Sequence, residues 1–84
     1  MLIKTARGQT SAVAEALSSM DCFPEVFSVA GRYDLVAVLR VRSNEEMAEI
    51  VTTQLSRVEG IVDTETMAAL RAYSRRDLEN VFGD

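Results

Sequence analysis

Histidine and tryptophan are missing from these 84 residues, and cysteine and proline occur once each. Without histidine the chain lacks the usual general base near neutral pH and the commonest nitrogen ligand for a metal. A single Cys22 excludes an intrachain disulfide and a thiolate metal cage, which fits a reducing compartment. The four glycines stand far apart, so no phosphate-cradling glycine loop is present. No apolar run approaches the roughly 20 residues that span a bilayer, and Met1-Leu2-Ile3-Lys4 is too short for a secretory segment. The expected location is the cytoplasm, with no membrane partner.

Basic charge is also in short supply. Nine Lys and Arg face thirteen Asp and Glu, for a net charge of −4. The basic residues are interspersed with acidic ones, and Arg75-Arg76 is followed at once by Asp77 and Glu79. Binding to nucleic acid needs cations gathered on one face to displace phosphate counterions, so direct nucleic-acid binding is not expected.

What is there is a globular balance, 48% hydrophobic and 26% charged, without a linker-like stretch. One domain is expected over residues 1–74, with a short helical tail over 75–84. A lone domain of this size buries only about 60% of the surface its unfolded chain exposes, so self-association is the natural supplement to its stability.

Residues 2–6 read as a first strand that ends at Arg7-Gly8. From 10 to 20, Val13, Ala16, Leu17 and Met20 fall on one helical face, with Thr10 or Ser11 as cap. Pro24 stops that helix, and 25–30 reads as a second strand. Gly31-Arg32 then fits a two-residue type II′ hairpin turn leading into a third strand over 33–42. Ser43-Asn44-Glu45-Glu46 reads as a capping box, Ser43 accepting from the Glu46 amide while the Glu46 side chain reaches back. Met47, Ile50, Val51, Leu55 and Val58 carry the second helix to a left-handed cap at Gly60. Residues 61–73 read as the fourth strand, and 75–82 as a short amphipathic turn of helix.

This βαββαβ order predicts a ferredoxin-like α+β fold, with both helices on one face of a four-stranded antiparallel sheet. The third strand decides the quaternary question. Leu35, Ala37, Leu39 and Val41 alternate with Val36 and Val38, so apolar side chains emerge on both faces. Two helices cover one face; the other needs a second copy, which predicts a face-to-face dimer.

Candidate chemistry is sparse. Cys22 stands beside Asp21 with no cation to activate it, and Glu45-Glu46 is accounted for by the start of a helix. Two polar clusters remain, Gly31-Arg32-Tyr33-Asp34 at the hairpin and Asp63-Thr64-Glu65-Thr66 in strand four. As structure alone they are a turn and a run of strand formers. As a site, they supply the donors and acceptors that a small zwitterion requires.

The run Val29-Ala30-Gly31-Arg32-Tyr33-Asp34-Leu35, taken with Val58-Glu59-Gly60-Ile61-Val62-Asp63-Thr64-Glu65-Thr66, resembles the ligand-binding (RAM) domain of the leucine-responsive regulator/AsnC (Lrp/AsnC) family. The similarity spans almost the whole chain, including Pro24-Glu25-Val26. It implies a dimeric α/β barrel that dimerises through its sheets and often assembles into rings, with amino-acid effectors held between dimers. The family's hairpin glycine and tyrosine-aspartate fall on Gly31, Tyr33 and Asp34, and its strand-four hydroxyls on Thr64 and Thr66. In that picture Tyr33 walls the pocket, Asp34 takes the ammonium, and the two threonines hydrogen-bond the ligand. Family members usually carry a helix-turn-helix domain, and this chain reads as a form without one.

The expected function is therefore effector sensing and oligomerisation in the transcriptional regulation of amino acid metabolism, with no enzyme activity, no cofactor and no metal. Two alternatives stay open: a module that co-assembles with full-length regulators of this family, and a dimeric-barrel enzyme.

Overall fold

A computed structural model describes residues 1–73. The elements run β1 (Leu2–Thr5), α1 (Thr10–Ser18), β2 (Glu25–Ser28), β3 (Leu35–Val38), α2 (Asn44–Glu49) and β4 (Ile61–Glu65), with α2 continued by a π turn (Ile50–Gln54) and a 3-10 turn (Leu55–Arg57). The sheet order is β2-β3-β1-β4 with every neighbouring pair antiparallel. The predicted ferredoxin-like arrangement is the observed one.

Both helices lie on one face. Ile3, Leu35 and Ala37 point there and are fully buried, together with Val13 and Leu17 of α1, Phe23 before β2, and Ile50 and Leu55 beyond α2. Each fully buried side chain of this size contributes about 1.5–3 kcal/mol relative to exposure, so this cluster carries the fold. The chain start joins the sheet: the Met1 amine donates to the Ala37 carbonyl at 2.8 Å, and the Ala37 amide donates back to the Met1 carbonyl at 2.8 Å.

The opposite face is open. Val36 stands between Leu2 of β1 and Phe27 of β2, with Glu65 beyond Leu2 on β4. Phe27 and Val29 remain exposed, and Val36 and Val38 partly so. The two-faced apolar pattern of the third strand is thus present in space.

Several expected boundaries are corrected. β4 ends at Glu65 rather than at 73: its pairing with β1 runs from Ile61 opposite Thr5 to Glu65 opposite Leu2 and goes no further. Residues 66–73 leave the sheet, with Leu70 98% exposed. β3 is confined to Leu35–Val38, since its last partner on β2 is Glu25, just after Pro24. β2 stops at Ser28. Helix α1 ends at Ser18, where the Ser18 and Ser19 hydroxyls bond back to the Glu15 and Ala16 carbonyls at 3.1 and 2.7 Å. Its cap position is Gln9, without a side-chain cap, because the Thr10 hydroxyl is engaged elsewhere.

The hairpin keeps the expected register, but its closing bond runs from the Val29 amide to the Asp34 carbonyl at 3.0 Å. Gly31 has φ +145°, far from the roughly +60° of a type II′ turn, so the connection is a wider loop. Ser43 accepts from the Glu46 amide at 3.1 Å as predicted, while the Glu46 carboxylate reaches the Arg42 amide, at 3.0 Å, rather than that of Ser43. Gly60 lies beyond the helical turns, which end at Arg57; its φ of +96° serves the turn into β4. The predicted tail over 75–82 lies outside the described residues.

Candidate functional site

The hairpin between β2 and β3 is fastened to the rest of the sheet at Asp34. Its amide donates to the Ile3 carbonyl at 2.9 Å, while its carbonyl accepts from Val29, so its backbone ties β1 to the end of β2. Asp34 Oδ2 accepts from the Thr5 amide at 2.8 Å and from the Thr5 hydroxyl at 3.2 Å. The Thr5 and Thr10 hydroxyls meet at 2.7 Å, extending the link to the first turn of α1.

Tyr33 goes the other way. Its hydroxyl donates to Glu65 Oε2 at 2.7 Å. Glu65 is opposite Leu2, on the face away from the helices, and β1 lies between β3 and β4. The Tyr33 side chain therefore spans β1 on the open face and joins the hairpin cluster to the strand-four cluster. The bond to the Glu65 carboxylate raises the phenol pKa above its ordinary value, helped by desolvation and by the charges of Glu65 and Asp63, against the pull of Arg32.

The strand-four threonines stand apart from this junction. Thr64 is opposite Ile3, its amide donates to Asp63 Oδ1 at 2.9 Å, and it borders a shallow groove of about 290 Å³ with Val51, Leu55 and Val58. Thr66 borders a different open groove of about 500 Å³, whose walls include Met1, Val38, Met47 and Met67. Gly31 has open space where a Cβ would stand. The chain thus links Tyr33 to the strand-four segment through Glu65, keeps Asp34 on Thr5, and leaves Thr64 and Thr66 on separate surfaces.

Strand β4 bends next to this junction. Lys4 pairs with Asp63 and Thr5 with Ile61, leaving Val62 as an unpaired bulge residue that is 62% exposed. The sequence did not single out Thr5, and it marked Thr10 only as a helix cap, since a threonine in a strand and one at a helix start read as local formers. Among the described residues, no group of three His, Cys, Asp or Glu is placed to hold a metal. No helix among them is long and apolar enough to cross a membrane.

The strand order and the helices on one face define a ferredoxin-like α+β domain. Residues 1–78 match the family model described as the Lrp/AsnC ligand binding domain, and the chain belongs to that family. The HTH-type transcriptional regulator FL11 of Pyrococcus furiosus is 32% identical over 73 residues, covering 87% of this chain and 48% of the regulator. The chain spans about half the length of the curated relatives it matches. Among solved structures, TTHA0845 from Thermus thermophilus is similar with a TM-score of 0.81 and 40% identity, over 88% of this chain and 92% of that one. The hypothetical protein PHS023 from Pyrococcus horikoshii is similar with a TM-score of 0.77 and 30% identity, over 83% and 86%.

Proposed function

We propose that this chain is an effector-sensing and oligomerisation domain serving transcriptional regulation in the cytoplasm, and not an enzyme. It binds an amino acid or a related small molecule in a cleft completed by another subunit, and occupancy changes its assembly state. Residues 1–74 form the working unit, with 75–84 as an appended tail. The observation that carries this reading is the uncovered apolar row of Leu2, Val36 and Phe27, lying on the same face as the Tyr33–Glu65 bond. A second copy laid on that face buries the row and brings walls to polar groups that are too open in one protomer.

Gly31, Tyr33, Asp34, Thr64 and Thr66 belong to the proposed site. Their separation on one protomer favours a pocket shared between subunits, and dimers stacking into a ring give each cleft a second side. The mechanism is linkage: a ligand that prefers one assembly shifts the equilibrium by its difference in affinity for the two states. The test is a thermal-shift screen of the common amino acids, followed by light scattering with each hit. A ligand at a hundred times its Kd stabilises by about 2.7 kcal/mol, which raises the midpoint by several degrees. A panel without any stabilisation overturns the sensing reading.

A second reading is favoured by the matched region, which is about half of each regulator. The open face would then receive a protomer of a full-length Lrp/AsnC regulator and alter its stoichiometry. Purified regulator from the same cytoplasm, mixed with this chain and separated by size, gives mixed particles on this reading and separate ones otherwise.

A further inference from the structure

Consecutive residues at the hairpin end do opposite things. The Tyr33 side chain crosses β1 to meet Glu65, with its bond exposed to solvent. The Asp34 side chain turns onto Thr5, which is only 8% exposed, and accepts both its amide and its hydroxyl. A hydroxyl has one hydrogen to give. Since Thr5 spends it on Asp34, the 2.7 Å contact with Thr10 must be a donation from the Thr10 hydroxyl to Thr5. The order of donation is therefore Thr10 to Thr5 to Asp34, running from α1 through β1 to the hairpin.

We infer that Asp34 is a positioning residue, which locks the hairpin to β1 and α1 through its Oδ2 and so sets where Tyr33 stands. Removing the carboxylate would strip the Thr5 amide of its partner in a part-buried place, and an unpaired buried amide is costly. With its amide on the Ile3 carbonyl and its carbonyl on the Val29 amide, Asp34 is held in register, and the residue before it is carried along. Tyr33 owes its reach over β1 to this anchorage. The inference rests on the proposed site for its functional meaning, but the anchorage is measurable without any ligand.

Tyr33 and Tyr73 are the two tyrosines of the chain. In the full chain carrying Tyr73→Phe, the ring carbon signals of Tyr33 can be followed against pH by NMR. The groups that face this phenol are Glu65 and Asp63 from β4 and Arg32 from its own loop. The midpoint should lie above the ordinary tyrosine value and return toward it in Glu65→Gln, which calibrates the share that the Glu65 bond and charge supply. Asp34→Asn should lose most of the same shift, Thr5→Val part of it, and the double variant no more than Asp34→Asn alone. General loosening of a folded domain does not produce that ordered, non-additive loss at one phenol. A Tyr33 midpoint unmoved by Asp34→Asn overturns the inference. If Asp34→Asn does not fold, an unmoved midpoint in Thr5→Val overturns it. Sensing is judged separately by the amino-acid panel, so failure of one leaves the other intact.

Discussion

Phe27 of β2 stands directly opposite Val36 of β3 on the sheet face that carries neither helix, and Phe27 keeps 48% of its surface exposed. The same row continues through Leu2. Cross-strand aromatic and β-branched pairs stabilise a sheet by about 0.2–1 kcal/mol, which is much less than covering them would add. The proposed pairing of two copies would bury this pair.

On the proposed face-to-face pairing, Phe27→Asp should dissociate the dimer. Burial of Phe27 is worth about 2 kcal/mol in each of two symmetric copies, so its loss raises the dissociation constant about a thousandfold. Sedimentation velocity over a concentration series measures this directly. An unchanged sedimentation coefficient would remove the open face from the interface.

Two glycines with positive φ allow a controlled comparison. A Cβ on Gly60 would stand 2.8 Å from Gln9 Cβ and 3.0 Å from Val13 Cγ2, whereas one on Gly31 meets open space. Gly60→Ala adds overpacking against α1 to the backbone strain, for a loss of about 2–4 kcal/mol. Gly31→Ala carries the backbone strain alone, about 1–2 kcal/mol. Urea denaturation of both variants should give that order. Equal losses would mean that the approach of the β4 turn to α1 is not tight.

Pattern and chemistry did not contribute equally to what could be read beforehand. Leu35 and Ala37 alternating with Val36 and Val38 marked both faces of β3, and Val13 with Leu17 marked the core stripe of α1, because burial imposes periods that survive in sequence. Strand lengths did not survive. Where β4 stops is fixed by Leu2, a residue about sixty positions away, and no local property of Thr66 records it. The hairpin was legible as a place but not as a geometry, since Gly31 permits many values of φ. Asp34 was legible as a site candidate and Thr10 as a cap candidate, but their connection through Thr5 was not, because the three meet only when β1, α1 and the hairpin are packed. The joining of Tyr33 to Glu65 was hidden for the same reason.

The helix cap is a local feature and its strength can be checked alone. Ser43 Oγ accepts from the Glu46 amide at 3.1 Å, and Glu46 returns a bond to the Arg42 amide at 3.0 Å. Ser43→Ala should cost about 1 kcal/mol, and Ser43→Asp should cost little, because aspartate caps as well and suits the helix dipole. The α-helical part of this segment has only six residues before the π turn, so the cap is a large share of its local stability. Equal urea midpoints for Ser43→Ala and the parent would show that the segment is held by Ile50 and Leu55 alone.

Cys22 gives a pH-dependent prediction whose sign follows from its surroundings. Desolvation raises its thiol pKa, a backbone hydrogen bond works against this, and the charges of Glu46 and Asp21 raise it further. The folded state therefore prefers the neutral thiol, and unfolding lets it ionise at lower pH. Below the ordinary thiol range Cys22 has no effect on stability; as pH rises through that range the unfolded chain is increasingly favoured. The thiolate is the nucleophile, so alkylation by iodoacetamide at pH 8 should be several-fold slower than for the urea-unfolded chain, and Glu46→Gln should recover part of the difference. A rate in the folded protein equal to that of the unfolded chain would contradict the placement of Cys22 beside Glu46 in the groove between the turn after α1 and α2 with its π continuation.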